Sequence, residues 1–381
     1  MPDLIYEIVE SLPNMKNVNE IYEIADRRLH AGEASFVGDL GVALSERIGG
    51  DQEDMLYRRL FGELFLLLAV TPSSGGLVQA LRLFSAAPSG GSISERYAAS
   101  LLAASQSPED LSTVVFTDSE PAGDPSEELR ACLVHELVLR GVAVSELPDI
   151  AKWLASPYWR RHPLAWLPLG LSEIERKLDL PSYSVRAIHQ RTPYGPWADK
   201  AQPAPLEGPG IAFSAEVTTD ALAASISTAV MNWTQESNGR IEARAFEYSQ
   251  PISVEAVPAT LLTSGLRCLR GRKPTSASPV SVCTPAEAWR LLFAAASWGG
   301  AYSSKCYGAY GRLSAWQSLA GLAGMAEGAT AAEVAEHGQQ CSWYRFEVDT
   351  PWFNQVMWDF GLAALDPSRS LLTVLAATDT S

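Results

Sequence analysis

The stretch that most limits the fold of this chain is TPYGPWADKAQPAPLEGPG, residues 192–210, which contains five prolines. Proline fixes its backbone φ angle and lacks an N–H group, so such a segment cannot continue a helix or a strand. At 381 residues the chain is also long for a single hydrophobic core. We therefore predict two domains, residues 1–190 and 211–381, joined by a Pro/Gly-rich linker at 191–210.

The first half of the sequence has the spacing of one helix after another. Apolar residues recur every three to four positions in VNEIYEIADRRLHAG, DMLYRRLFGELFLLLAV and PSEELRACLVHELVLRG. In the last of these segments, Ser126 is in position for an N-cap and Gly141 is in position to end the helix. No repeat of fixed length is visible, so the pattern predicts an irregular, solenoid-like α-helical array.

The second half mixes both kinds of element. RIEARAFEYS and CSWYRFEVD are predicted as strands, and the apolar SLLTVLAAT near the C-terminus is typical of a central strand. TPAEAWRLLFAAASW begins with a helix N-cap at Thr284, and WFNQVMWDFGLAAL, residues 352–365, is predicted as a further helix. The order gives a strand–helix–strand unit. The predicted fold class is α+β, an N-terminal α-helical array followed by a C-terminal mixed α/β domain.

The charge of the chain limits its partners. Its formal net charge is −15, which opposes binding to nucleic acid or anionic membranes and favours a protein partner of basic charge. The longest apolar run, LFLLLAV, is too short to span a bilayer, and the N-terminus lacks the pattern of a secretory signal. Its five cysteines are scattered and never spaced CxxC. The sequence therefore predicts a soluble cytoplasmic protein that binds no nucleic acid and no membrane.

Several sequence motifs that are typical of enzymes are missing from the chain. It has no GxxxxGK[ST] loop, no GxGxxG after a strand, no HExxH pair and no GxSxG elbow. Its five histidines are dispersed, without the spacing of metal ligands. We expect no cofactor and no metal, although residues distant in sequence can still assemble a site in the folded chain.

The glycine-rich stretch WGGAYSSKCYGAYGRLSAW, residues 298–316, admits two interpretations. Exposed N–H groups before a helix starting near Gly308, with Lys305 and Arg312 beside them, would suit an anion. Alternatively, the glycines allow this helix to pack closely against a neighbour. The spacing matches no phosphate-binding loop, which favours packing.

Two of the predicted strands carry alternating charges. Arg240, Glu242 and Arg244 share one face of the first strand, and Arg345 and Glu347 share one face of the second. Adjacent strands would form an ionic ladder, the commoner arrangement. The alternative is a cleft in which a glutamate acts as general base and an arginine binds a carboxylate or phosphate. The ligand-binding candidates from the strands, the glycine-rich stretch and the predicted last helix are Glu242, Arg244, Lys305, Cys306, Tyr307, Arg345 and Asp359.

A basic cluster interrupts this acidic sequence at RCLRGRKP, residues 267–274. A solvated loop is the expected interpretation, because runs of charge are usually exposed. Binding of an acidic partner or a phosphate is the alternative.

Three segments of the second half resemble an uncharacterised actinobacterial protein family, a domain of unknown function. They are NWTQESNGRIEARAF, WGGAYSSKCYGAYGRLSAWQSLAGLAG and WYRFEVDTPWFNQVMWDFGLAAL with the later VLAATDT, and the resemblance extends over about residues 225–381. It implies a bacterial cytoplasmic setting. It implies no activity, so no catalytic residue follows from it.

Two hypotheses of function come from these observations. The first is a non-enzymatic binding protein, regulatory or toxin-neutralising, in which the helical array presents an acidic surface to a protein partner. The second is a small-molecule hydrolase or transferase of a biosynthetic pathway, with its site in the C-terminal domain. A concave pocket that gathers the seven candidate residues would favour the enzyme.

Overall fold

The computed structural model describes residues 2–15, 18–48, 55–88, 93–117, 125–176, 180, 203–204, 210–272, 278–353 and 358–380. Described residues up to Ala165 belong to one compact unit, and those from Trp166 onward belong to a second. Most of the predicted linker at 191–210 lies outside the described residues, so the predicted domain boundaries stay a prediction.

The first unit is built from helices, as predicted. Ser126 caps one of them through its Oγ, which accepts the N–H of Leu129 at 3.1 Å, and Gly141 follows that helix with a φ of 78°. The α-helices among its described residues are α1 (Pro2–Ser11), α2 (Asn19–His30), α3 (Ala34–Ser45), α4 (Met55–Val70), α5 (Ser74–Ser85), α6 (Glu95–Ser105), α7 (Pro108–Val115), α8 (Glu127–Leu139) and α9 (Pro148–Leu154).

The second unit combines helices with a six-stranded sheet. Its elements are β1 (Ala215–Glu216), α10 (Asp220–Ser227), α11 (Met231–Glu236), β2 (Arg240–Glu247), α12 (Val257–Thr263), β3 (Val280–Cys283), α13 (Pro285–Trp298), α14 (Tyr307–Leu322), α15 (Ala331–Gln340), β4 (Ser342–Phe346), β5 (Phe360–Leu365) and β6 (Leu371–Thr378). The strand order is β1-β2-β6-β5-β4-β3, and every pair of neighbours is antiparallel. The α+β prediction is confirmed, as are the strands predicted at β2, β4 and β6.

The helix predicted over residues 352–365 is wrong where the structure describes it. Phe360–Leu365 is the strand β5, which lies between β6 and β4 and is buried along its whole length. A strand covered on both faces has a continuous apolar run, and periodicity alone cannot distinguish such a run from a buried helix. The predicted strand–helix–strand unit is therefore wrong as well, because β4, β5 and β6 are antiparallel neighbours.

Both faces of the sheet are covered. On one face, Phe246 and Val374 pack with Leu261 of α12 in a cluster of buried apolar side chains. On the other face, the Trp233 ring of α11 meets the Phe360 ring edge to face, at a centroid distance of 5.8 Å. Because α10 and α11 pack beside β2, they also determine how its outer edge is exposed.

Candidate functional site

The strand β2 has one partner along its whole length and another along only part of it. It pairs with β6 from Arg240 to Glu247. On its other side, β1 pairs only with Phe246 and Glu247, and Thr219 soon afterwards caps the start of α10. Residues 240–244 of β2 therefore form an edge of the sheet that β1 does not cover.

The register identifies which backbone groups face this edge. Alternate residues of an antiparallel strand direct both their N–H and C=O groups to the same side. Val217 donates its N–H to the carbonyl oxygen of Ala245 at 2.9 Å, so odd-numbered residues of β2 face away from β6. Ile241 and Ala243 therefore present their N–H and C=O groups to the edge, and no hydrogen bond from another described residue reaches them.

An open groove of about 580 Å³ lies along this edge. Its floor is the edge itself, and helices α10 and α11 form one wall. The other wall, on the sheet face opposite these helices, is lined by arginine side chains. The lining residues are Ala223, Ala224, Ser227, Met231, Thr234, Ile241, Glu242, Ala243, Arg244 and Arg267. A concave site with one small-residue wall and a few converging polar groups suits a ligand.

Glu242 positions the arginine side of the groove. Its carboxylate is buried and accepts the backbone N–H groups of Arg267 and Cys268 at 2.9 and 2.8 Å. The Arg244 guanidinium approaches the same carboxylate at 3.7 Å. With both oxygens held by backbone donors, Glu242 anchors the turn at 267–269 to β2.

Arg244 is held in an ion pair with a second glutamate, Glu216. Its guanidinium forms a two-pronged ion pair with the Glu216 carboxylate, with Nε donating to Oε1 at 2.8 Å and Nη2 donating to Oε2. These bonds lower the pKa of Glu216 and raise the pKa of Arg244. The pair fixes β1 against β2 beside the groove.

Arg345 and Asp359, two other predicted site residues, lie away from the groove. Arg345 is on β4, and two strands, β6 and β5, separate β4 from β2. The Arg345 guanidinium lies 3.7 Å from the Glu347 carboxylate, and Asp359 is buried and accepts a hydrogen bond from the Thr378 hydroxyl at 2.5 Å. The ionic ladder between the two charged strands therefore does not form, and neither does a cleft that uses both.

The remaining candidates, Lys305, Cys306 and Tyr307, lie at the start of α14. The Lys305 ammonium lies 5.3 Å from the centre of the Trp298 ring, a cation–π contact. Cys306 donates its backbone N–H to the Ala296 oxygen at 3.1 Å, and Tyr307 has a φ of 56°. None of the three lines the groove at β2.

The glycine-rich stretch offers its N–H groups to the protein itself. Ala301 donates its N–H to the buried Asp379 carboxylate at 2.7 Å, and Ser304 donates its N–H to the Glu236 carboxylate at 2.6 Å. The N–H of Gly300 reaches the Ser303 hydroxyl at 2.7 Å. Internal carboxylates therefore occupy the places that an external anion would take, which favours the packing interpretation.

The Glu236 bond predicts a pH dependence of stability. Hydrogen bonding from Ser304 lowers the pKa of Glu236 below its ordinary value of 4.5, so its contribution is present above about pH 4.5 and is lost as pH falls through the lowered pKa. Glu236→Gln should melt below the wild type at pH 7, and this difference in melting temperature should shrink as the pH falls below 4.5. Melting temperatures between pH 3 and 7 measure this, with Glu327→Gln, at another exposed glutamate, as control. A gap between wild type and Glu236→Gln that is unchanged at pH 3 would contradict the prediction.

The sequence patterns missed an ion pair in the core of the second unit. The Arg312 and Glu175 side chains are both fully buried, and Nε of Arg312 lies 2.6 Å from Oε1 of Glu175. The sequence predicts Arg312 only as a charge that would suit an anion at the glycine-rich stretch, and Glu175 carries no local signal. They are 137 positions apart in the sequence, so no short-range spacing could reveal them.

A second groove, of about 600 Å³, lies in the first unit between α2 and α4. Its charged lining residues are Asp26, His30, Arg59 and Glu63. They are of mixed sign and point to no ligand class. Among the residues that the structure describes, no three histidine, cysteine, aspartate or glutamate side chains are grouped to hold a metal ion. No described helix combines the length and apolar character needed to cross a membrane.

Comparison with known proteins relates nearly the whole chain to one family. The model of a family of unknown function, DUF6183, matches residues 19–381. The chain belongs to this family. The predicted resemblance to an uncharacterised family is confirmed, and the match extends far beyond residues 225–381 into the helical unit, while the actinobacterial origin stays a prediction. No curated protein and no solved structure matches this DUF6183 member.

Proposed function

We propose that this protein is a non-catalytic binding protein of the bacterial cytoplasm whose second unit holds an extended segment of a protein partner. The observation that carries the proposal is the open edge of β2, where the backbone groups of Ile241 and Ala243 face a groove and receive no hydrogen bond from another described residue. A regulatory or toxin-neutralising role belongs to this class of function.

Backbone pairing explains how such a groove would bind. An extended segment laid along an exposed strand forms main-chain hydrogen bonds with it, and its alternating side chains supply specificity. At a rise of about 3.3 Å per residue, residues 240–244 offer about 17 Å of edge. That length is enough for the segment to pair with both Ile241 and Ala243.

The state of the charged residues favours binding over catalysis. A general base needs an oxygen directed at the substrate, yet both oxygens of Glu242 accept backbone N–H groups. The Arg244 guanidinium is held by Glu216. The residues put forward for an enzyme are also spread over β2, β4, the start of α14 and, for Asp359, the start of β5, so they do not converge on one reacting atom.

The experiment is selection of a phage-displayed library of random dodecapeptides on the full chain. Ala243→Pro removes the outward N–H group without removing a bond to β6, and proline is tolerated at sheet edges. We expect this change to weaken the selected peptides at least about tenfold, or about 1.4 kcal/mol. Ala243→Ser keeps the amide and is the matched control. It should bind as the wild type does.

N-methylation of the selected peptides tests the same geometry from the other side. Methyl groups on alternate residues should abolish binding in one set and spare it in the other, because only alternate residues of a paired segment face β2. The proposal fails if the library yields no binder, if Ala243→Pro binds the peptides normally, or if both methylated sets behave alike.

A further inference from the structure

The loop beside the groove concentrates positive charge in an acidic protein. Arg267, Arg270 and Arg272 are all exposed within six residues, whereas the whole chain carries a net charge of −15. Of these three, only Arg267 lines the groove. The electrostatic character of the groove therefore differs from that of the protein as a whole, and local charge decides what approaches at short range.

Arg267 is anchored at its backbone, and its exposed guanidinium makes only a long ion pair with Glu242. Its N–H is bonded to the Glu242 carboxylate at 2.9 Å, while its side chain is 63% exposed with Nε at 3.6 Å from the same carboxylate, beyond hydrogen-bond distance. Its guanidinium makes no hydrogen bond to another described residue. A guanidinium offers five N–H donors in a planar fork that matches a carboxylate.

The other charges of the groove are already matched. Arg244 and Glu216 satisfy one another through two hydrogen bonds, and the buried Glu242 is satisfied by two backbone N–H groups. Arg267 is thus the group at the groove with unused capacity for an anion. The backbone edge at Ile241 and Ala243 lies on the same groove, so one ligand can use both.

We infer that the segment paired with β2 carries an aspartate or glutamate whose carboxylate binds the Arg267 guanidinium. This inference rests on the proposed function. Side chains directly opposite one another on paired strands point to the same face of the sheet. The acidic residue therefore lies between the two residues that pair with Ile241 and Ala243, on the same face as Glu242. Because like charges on that face repel, the Arg267 guanidinium must lie between its carboxylate and that of Glu242. The partner at this groove is an acidic extended segment, although the net charge of the chain alone predicts a basic partner.

The test measures how tightly the peptides selected on the wild-type chain bind to Arg267→Ala, Arg270→Ala and Arg267→Glu. The selected sequences should share an acidic residue, and changing it to its amide should weaken binding about tenfold, as expected for a lost charge-assisted hydrogen bond. Arg267→Ala should cause the same loss. Arg270→Ala, at an exposed arginine of the same loop outside the groove, is the matched control and should bind normally.

Exchanging the charges of Arg267 and of the acidic residue of the peptide tests whether these two side chains contact each other. Arg267→Glu should reject the acidic peptide and bind the same peptide with lysine in place of its acidic residue. Arg267→Ala and Arg267→Glu should both remain folded at the temperature of the binding assay. Peptides that depend on Ala243 but lack an acidic residue, or that bind Arg267→Ala normally, would overturn this inference and leave the proposed function standing. A dimer of the protein abolished by Ala243→Pro would also overturn it, because the occupant would then be a second copy.

Discussion

Replacement of Arg312 by methionine is expected to lower the free energy of unfolding of the second unit by about 3–5 kcal/mol. The change removes one partner of an ion pair whose two side chains have no exposure to solvent. Methionine fills most of the same volume, so the loss reports mainly on the Glu175 carboxylate left without its counter-charge.

The contacts of the pair explain why the loss is large. Two donors of Arg312 reach the two oxygens of Glu175 at 2.6 and 2.9 Å, and two more reach the carbonyl oxygens of Pro168 and Gly170, both at 2.9 Å. The Trp316 indole N–H adds a bond to Glu175 at 2.8 Å. After the single substitution the buried Glu175 carboxylate keeps only the Trp316 indole N–H and the Ser172 N–H as donors, and it has lost its counter-charge. A buried charge without a counter-charge is costly.

Denaturant unfolding measures the loss, and hydrogen exchange of α14 shows whether it arises in the second unit. The control is the double variant Arg312→Met, Glu175→Met, which removes both charges together. Replacing a whole buried ion pair by apolar residues is often nearly neutral, so the double variant should recover most of the stability. A loss below about 1 kcal/mol for Arg312→Met, the range of surface ion pairs, would show that the pair is not desolvated.

Elements with local signals were predictable from the sequence. The cap at Thr284 depends on Glu287 three positions later, and the structure has both halves of this capping box. The cap at Ser126 is a simpler N-cap, in which its Oγ accepts the N–H of Leu129. Strand β5 was mistaken for a helix because its apolar run is a consequence of burial on both faces, which only the arrangement of the neighbouring strands determines.

The candidate site was only partly predictable. Glu242 and Arg244 were found because alternating charges on a strand are visible in the sequence, and the basic cluster at 267–274 was also recognised. Their meeting at one groove depends on long-range pairing, and the open edge depends on β1 being only two residues long. No local pattern encodes where a partner strand stops, so Ile241 and Ala243 carried no signal.

The last prediction tests whether the glycines of α14 serve close packing against a neighbouring helix. Gly321→Ala is expected to destabilise the protein by about 1–3 kcal/mol. A Cβ built on Gly321 would lie 2.6 Å from the backbone nitrogen of Ile226 and 2.7 Å from the Ser225 hydroxyl, both on α10. A backbone atom cannot move aside as a flexible side chain does, so α10 and α14 would have to separate.

The same substitution at Gly62 supplies the control. Gly62 lies within α4, and a Cβ there meets no atom within 4 Å. Alanine is the better helix former by about 0.5–1 kcal/mol, so Gly62→Ala should raise stability. Denaturant unfolding should therefore show that the same glycine-to-alanine change lowers the free energy of unfolding at position 321 and raises it at position 62. If Gly321→Ala also stabilised the protein, α10 and α14 would not be in the contact described, and the wall of the β2 groove that α10 supplies would have to lie elsewhere.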